Sequence, residues 1–174
     1  MSDTTKKKIL VLGSRCSGKS MLIKRLEELC GPSKIQSDEF ISTKNTVGKQ
    51  ITQMIYKRNQ RLEIHELGGA LISIWWSFYT SDHFEKILFV IDVTQPWSMS
   101  MTFEFLKDIQ EKTSILAKQI LFVLTKTGEI NAIDLVSIRE LIDFNSLWYG
   151  QVEIMEINAR ERKNIERVLD WLTH

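Results

Sequence analysis

A chain of 174 residues, 43% hydrophobic and 26% charged, carries enough apolar side chains for one core and excludes a disordered, collagen-like or fibrous protein. A net charge of +1 gives no global attraction to nucleic acid or to an acidic membrane, and no apolar run approaches the roughly 20 residues that span a bilayer. Two cysteines, Cys16 and Cys30, have neither metal-ligand spacing nor a disulfide framework, which suits a reducing cytosol.

In chain order, a polar extension over residues 1–7 ends in Lys6-Lys7-Lys8, which reads as a solubilising start to a first strand over 8–12. Leu22, Leu26 and Leu29 then share one helix face until Gly31-Pro32 stops the helix. A polar stretch over 33–44 leads to two strands, 50–56 and 62–66. Their turn-like link, Lys57-Arg58-Asn59-Gln60, is short enough to force an antiparallel hairpin.

Alternation resumes with a buried-looking strand over 87–93 and a segment from Pro96 with Met101, Phe105 and Ile109 at spacing four. A strand over 119–124, a helix with Leu135, Ile138, Leu141 and Ile142, a strand over 152–157 and a helix with Ile165, Val168, Leu169 and Leu172 complete the pattern. Continuous apolar strands between amphipathic helices predict an α/β fold. The sheet is expected to be mainly parallel and six-stranded, with one antiparallel edge hairpin and helices on both faces. The whole chain, 1–174, reads as a single domain, without repeat, low-complexity tract or linker.

After the first strand comes GSRCSGKS, which matches G-x-x-x-x-G-K-[ST]. Gly13 and Gly18 permit backbone angles and close approach that let successive N–H groups point at phosphate oxygens. Lys19 supplies a point charge between the β- and γ-phosphates, and Ser20 can ligate Mg²⁺ at the start of a helix whose positive end also faces the anion. By chance the pattern should arise in roughly one chain of this length in a few hundred, and here it also sits between a strand and a helix. Gly13, Ser14, Arg15, Cys16, Ser17, Gly18, Lys19, Ser20 and Met21 are therefore expected at the phosphates.

The hairpin directly after the first helix, with Thr46 before it and Glu66-Leu67-Gly68-Gly69 at its end, departs from small phosphate-loop kinases, which follow that helix with another parallel strand. At these residues the chain resembles the Arf and Arf-like branch of small GTPases, from Lys8 to Leu172. The resemblance implies the small-GTPase (G domain) fold and GTP/GDP with Mg²⁺ as ligands. It implies that Thr46 completes the metal shell and senses the γ-phosphate, while the N–H of Gly69 meets the same phosphate. Loss of that phosphate would deprive both loops of a partner.

Three departures from the family's pattern bear on chemistry. Where DxxGQ is usual, this chain reads ELGGA. The resemblance implies that an aspartate there holds the metal's water; Glu66 carries its carboxylate about 1.5 Å farther, which a tight Mg²⁺ shell tolerates poorly. Ala70 has no group to orient an attacking water, so intrinsic hydrolysis is expected to be very slow and no residue is assigned as catalytic. Where N/T-K-x-D reads guanine, the chain has Thr125-Lys126-Thr127-Gly128. Glu129 is the neighbour that could supply the missing carboxylate, and Asp134 reads as a surface or helix-start residue. Asn158-Ala159-Arg160 stands where the family has Ser-Ala-Lys, keeping the alanine whose N–H bonds the base.

Three aromatic side chains that Arf effectors read become Lys49, His65 and Tyr79 by position, so ordinary Arf effectors are not expected to bind well. Trp75 and Trp76 offer replacement anchors, one expected inside and one outside, and strand alternation places His65 toward solvent. Ser2 follows Met1 and the end DWLTH lacks a prenylation cysteine, so no direct lipid anchor is expected. The expected protein is a monomeric, cytoplasmic nucleotide switch, or a static GTP holder, that binds protein effectors and not nucleic acid. The resemblance further implies intracellular, and specifically ciliary, traffic. A GTPase activated by a partner is the alternative, and a small phosphotransferase is disfavoured by the hairpin and the lack of a late arginine-rich lid.

Overall fold

A computed structural model describes residues 6–31, 43, 46–56, 60–81, 83–112, 119–141 and 153–174. Ile9 to Leu12 are wholly buried although they point alternately to opposite sides, because their strand, β1 (Lys6–Gly13), lies inside a sheet covered on both faces. The other elements are α1 (Lys19–Cys30), β2 (Lys49–Tyr56), β3 (Gln60–Leu67), a 3₁₀ segment (Gly69–Ile74) running into α2 (Trp75–Ser81), β4 (Lys86–Asp92), α3 (Trp97–Lys112), β5 (Ile120–Thr125), α4 (Leu135–Leu141), β6 (Glu153–Glu156) and α5 (Ile165–Thr173). The six strands run in the order β2-β3-β1-β4-β5-β6. Only the β2–β3 hairpin is antiparallel, as its short link requires.

Leu22 and Leu26 of α1 and Ile165, Val168, Leu169 and Leu172 of α5 cover one face of the sheet, against Ile9, Val11, Leu88 and Val123. Trp75 of α2, Phe105, Leu106 and Ile109 of α3 and Ile138 of α4 cover the other, against Leu10, Leu12, Phe89 and Phe122. Phe89 stacks on Phe105 with centroids 4.6 Å apart, and Trp75 meets both rings edge-on, an arrangement that favours aromatic quadrupoles over a loose apolar fit. The ends of β1, β4 and β5 thereby stay fixed beneath the loops that follow them. Gly31 ends α1 as expected, whereas Pro32, the turn residues 57–59, Ile142 and Val152 lie outside the described residues.

One expectation is corrected. His65 is only 3% exposed, and its Nε2 lies 2.8 Å from the Glu63 carboxylate with its ring edge-on to Phe84. Alternation divides a strand into two faces but cannot say that one is wet; β3 is flanked by β1 and β2, and its His65 face is packed. Glu63 also accepts a bond from Gln53 and pairs with Lys6. Those bonds, from Lys6 first and His65 next, pull the Glu63 carboxyl from 4.5 down to about 2.

Because the folded pKa of Glu63 is depressed, the unfolded chain binds the extra proton, and this stabilisation is complete above about pH 4.5 and lost as the pH falls toward about 2. Glu63→Gln should lower the urea midpoint near neutral pH and flatten its decline over that acid range. An unchanged acid-side slope in the variant would show that the cluster contributes nothing.

Candidate functional site

β1 delivers the chain to Gly13, whose φ of 148° is one that side-chain-bearing residues rarely adopt and where a Cβ would overlap the Val90 carbonyl of β4. From there the loop turns to Gly18 and enters α1 at Lys19. Thr125 at the end of β5 braces it: the threonine Oγ1 donates to Ser17 O at 2.7 Å, with Ile91 O a further acceptor within reach at 3.1 Å. Lys19 is folded into the loop, donating to Gly13 O at 3.0 Å and Ser14 O at 2.7 Å. Burial pushes its ammonium down to about 8, opposed by the Glu66 carboxylate and then by Cys16. The hydroxyls of Ser14 and Ser17 are buried without a protein hydrogen-bond partner.

A cavity of about 770 Å³ opens in front of this loop. Of the residues expected at the phosphates, Arg15, Cys16, Ser17, Gly18, Lys19, Ser20 and Met21 line it, whereas Gly13 and Ser14 support the loop from behind. Thr46 and Gly69 line it too. Gly69 sits so close to the loop that a Cβ there would overlap the Arg15 amide nitrogen and Ser14, so its backbone is held against the phosphate cradle.

Between these walls, Ser20 Oγ and Thr46 Oγ1 each lie 2.7 Å from the same oxygen of Glu66 and 3.1 Å from each other. Three side chains from α1, the segment before β2 and the end of β3 thus meet in one all-oxygen cluster, the donor chemistry that a hard cation such as Mg²⁺ takes. The residues fit that ion. The longer Glu66 reaches both hydroxyls directly. Ala70 lines the cavity beside Gly69 with a methyl group only.

Beyond the loop that Thr125 braces, the cavity is lined by Lys126, Asn158, Ala159 and Arg160, and by Thr125 itself, with Gly128, Glu129 and Glu161 also on its wall. Two supporting residues escaped the sequence reading. Asp92, at the end of β4, holds Lys126 Nζ at 2.5 Å and takes both the N–H and the hydroxyl of Thr94, fixing a lysine whose φ is 62°. Its position at the carboxyl end of a parallel strand was the available signal. Arg25 of α1 is nearly buried, pairs with Glu28 and donates to Ala159 O at 2.8 Å, tying the last loop to the first helix. Nothing in helical spacing distinguishes it from a solvated arginine. Asn158 Oδ1 accepts the N–H groups of Arg160 and Glu161, and Asp134 caps α4 through Val136 and Ser137, as a helix-start residue should.

The two tryptophans divide as expected. Trp75 is 2% exposed and reaches Gly68 O with its indole N–H, so it is a core residue and no partner anchor, whereas Trp76 is 50% exposed. His65 is likewise withdrawn from the surface. Lys49 is exposed and lies over the Phe78 ring at 5.6 Å; the side chain of Tyr79 lies outside the described residues.

The ADP-ribosylation factor family matches residues 1–174. The chain belongs to this family. Human ADP-ribosylation factor-like protein 16 is 29% identical over 167 residues, covering 94% of this chain and 83% of the relative. ADP-ribosylation factor-like protein 1 of Saccharomyces cerevisiae is 26% identical, covering 95% and 85%. The Arl6 BBS3 small GTPase of Trypanosoma brucei, solved with bound nucleotide analogue GppNp, superposes with a TM-score of 0.73 over 97% of this chain and 96% of that one, at 18% identity, and so shares the fold. Membership supports the role of a GTP-binding switch, and Arf-like proteins generally bind protein effectors.

Lys19→Ala should abolish nucleotide binding, and Gly69→Ala should weaken it by forcing the segment after β3 off the phosphate loop. Titration with a fluorescent GTP analogue tests both. Wild-type affinity in Lys19→Ala would remove the loop from the site.

Proposed function

We propose that this Arf-family chain holds GTP or GDP with Mg²⁺ as a switch, or as a nearly static GTP holder, and hydrolyses GTP very slowly by itself. The observation that carries the reading is the pairing of the phosphate cradle with Ala70: Lys19, Ser20, Thr46, Glu66 and Gly69 line one cavity, with the Ser20 and Thr46 hydroxyls on Glu66, and the residue after Gly69 has nothing to orient water. Ser20 and Thr46 would hold the metal directly, with Glu66 bonded to both hydroxyls. The metal would neutralise charge between the phosphates; the chain's own residues bind and orient the nucleotide. Even small GTPases that carry the water-positioning glutamine turn over on the order of 10⁻⁴ per second unaided. Exposed Trp76 and Lys49 lie on the surface through which protein effectors would be engaged in intracellular, including ciliary, traffic, with the chain itself cytoplasmic and monomeric.

Mass identification of the nucleotide that co-purifies with the protein tests the reading. Intact GTP is the expected result; ATP would overturn the base assignment, and rapid unaided hydrolysis would make the chain an ordinary enzyme.

Ala70→Gln alone should give little gain in single-turnover GTP hydrolysis, because Glu66 already occupies the space between Ser20 and Thr46 where a shorter carboxylate would leave room for water. Adding Glu66→Asp should give a measurable gain, the two positions being strongly non-additive. Additive effects in a quenched-flow comparison of the four proteins would separate the positions.

A further inference from the structure

The base end of the cavity poses a problem that the phosphate end does not. Gly128, at the position from which a carboxylate would read the base, lines the cavity but leaves open space: a Cβ built there meets nothing within 4 Å. The next residue, Glu129, lines the same cavity. The Glu129 N–H donates to Lys126 O at 3.1 Å, closing a turn over 126–129 that sets Glu129 beside the lysine held by Asp92. Glu129 lines the cavity, and its carboxylate faces Arg160 across the mouth, Oε1 to Nη1 4.0 Å. Arg160 belongs to the opposing loop, which Asn158 and Arg25 hold in place.

Resting on the guanine-nucleotide reading above, we propose that Glu129 is the specificity-determining residue of this site and Arg160 its positioning residue. A purine with a 6-oxo and a 2-amino group presents two adjacent N–H donors to a carboxylate, whereas adenine presents a ring nitrogen lone pair and a C–H, which a carboxylate repels. Glu129 takes those two donors in place of a carboxylate at position 128. Arg160, over half exposed as is Glu129, holds the carboxylate turned across the cavity without locking it in a buried pair.

Competition of unlabelled GTP, ITP and ATP against a ribose-labelled fluorescent GTP analogue tests this in the wild type, in Glu129→Gln and in Glu129→Gln combined with Gly128→Asp. In the wild type GTP should outcompete ATP, with ITP, which lacks the 2-amino group, intermediate. Glu129→Gln should weaken GTP by roughly tenfold or more while leaving ATP unchanged, and the open space at Gly128 should let the added aspartate restore the preference. A GTP-over-ATP ratio that stays within about twofold of the wild type in Glu129→Gln overturns the assignment of Glu129 while leaving guanine binding intact. A wild type that fails to bind the analogue, or that prefers ATP, overturns the guanine reading itself, and the proposal with it.

Discussion

A single oxygen of Glu66 accepts the hydroxyls of Ser20 and Thr46, and the organisation of the phosphate end follows from it. The three residues come from segments separated by tens of positions, and the carboxylate is almost fully buried. A buried carboxylate is costly unless it is hydrogen-bonded and faces positive charge. Both conditions hold, because two hydroxyls donate to it and Lys19 lies near enough for its ammonium to be favoured by Glu66 even as burial disfavours it. Removing Glu66 would leave Lys19 buried beside fewer compensating charges and would free Thr46 from the cradle.

Support for the loops falls to backbone carbonyls and to side chains from neighbouring strands. Thr125 braces Ser17 from β5, Asp92 fixes Lys126 from β4, and Arg25 ties Ala159 to α1. All of these act at the carboxyl ends of parallel strands, where a doubly covered sheet leaves its crevice. The core explains why Thr125 and Asp92 hold position: the strands that carry them, β5 and β4, are buried almost throughout and packed on both faces, so their ends have little freedom to drift.

The fold was legible because its signals are periodic. Leu22 and Leu26, or Ile165, Val168, Leu169 and Leu172, repeat at helical spacing, and the apolar runs of β1, β4 and β5 can only be interior strands. The phosphate loop was legible because its glycines and lysine have steric and electrostatic duties that few other residues perform. His65 was misread because period two assigns faces and not neighbours; its burial depends on Phe84, which is distant in sequence. Arg25 and Asp92 were missed for the same reason, since their importance lies in partners more than 30 positions away.

Lys19, Ser20, Thr46 and the Gly69 backbone are placed for groups that a bound triphosphate already possesses, so they serve binding whether or not the phosphoryl group is transferred. A glutamine in place of Ala70 would act chiefly on the attacking water and so would favour the transition state alone. On the reading proposed above, Ala70 and Glu66 together would separate holding from turnover, keeping uniform binding and losing differential binding. With hydrolysis that slow, such a site would offer partners a long-lived GTP-bound surface, and the exposed methyl of Ala70 leaves room beside Gly69 for a group that a partner inserts.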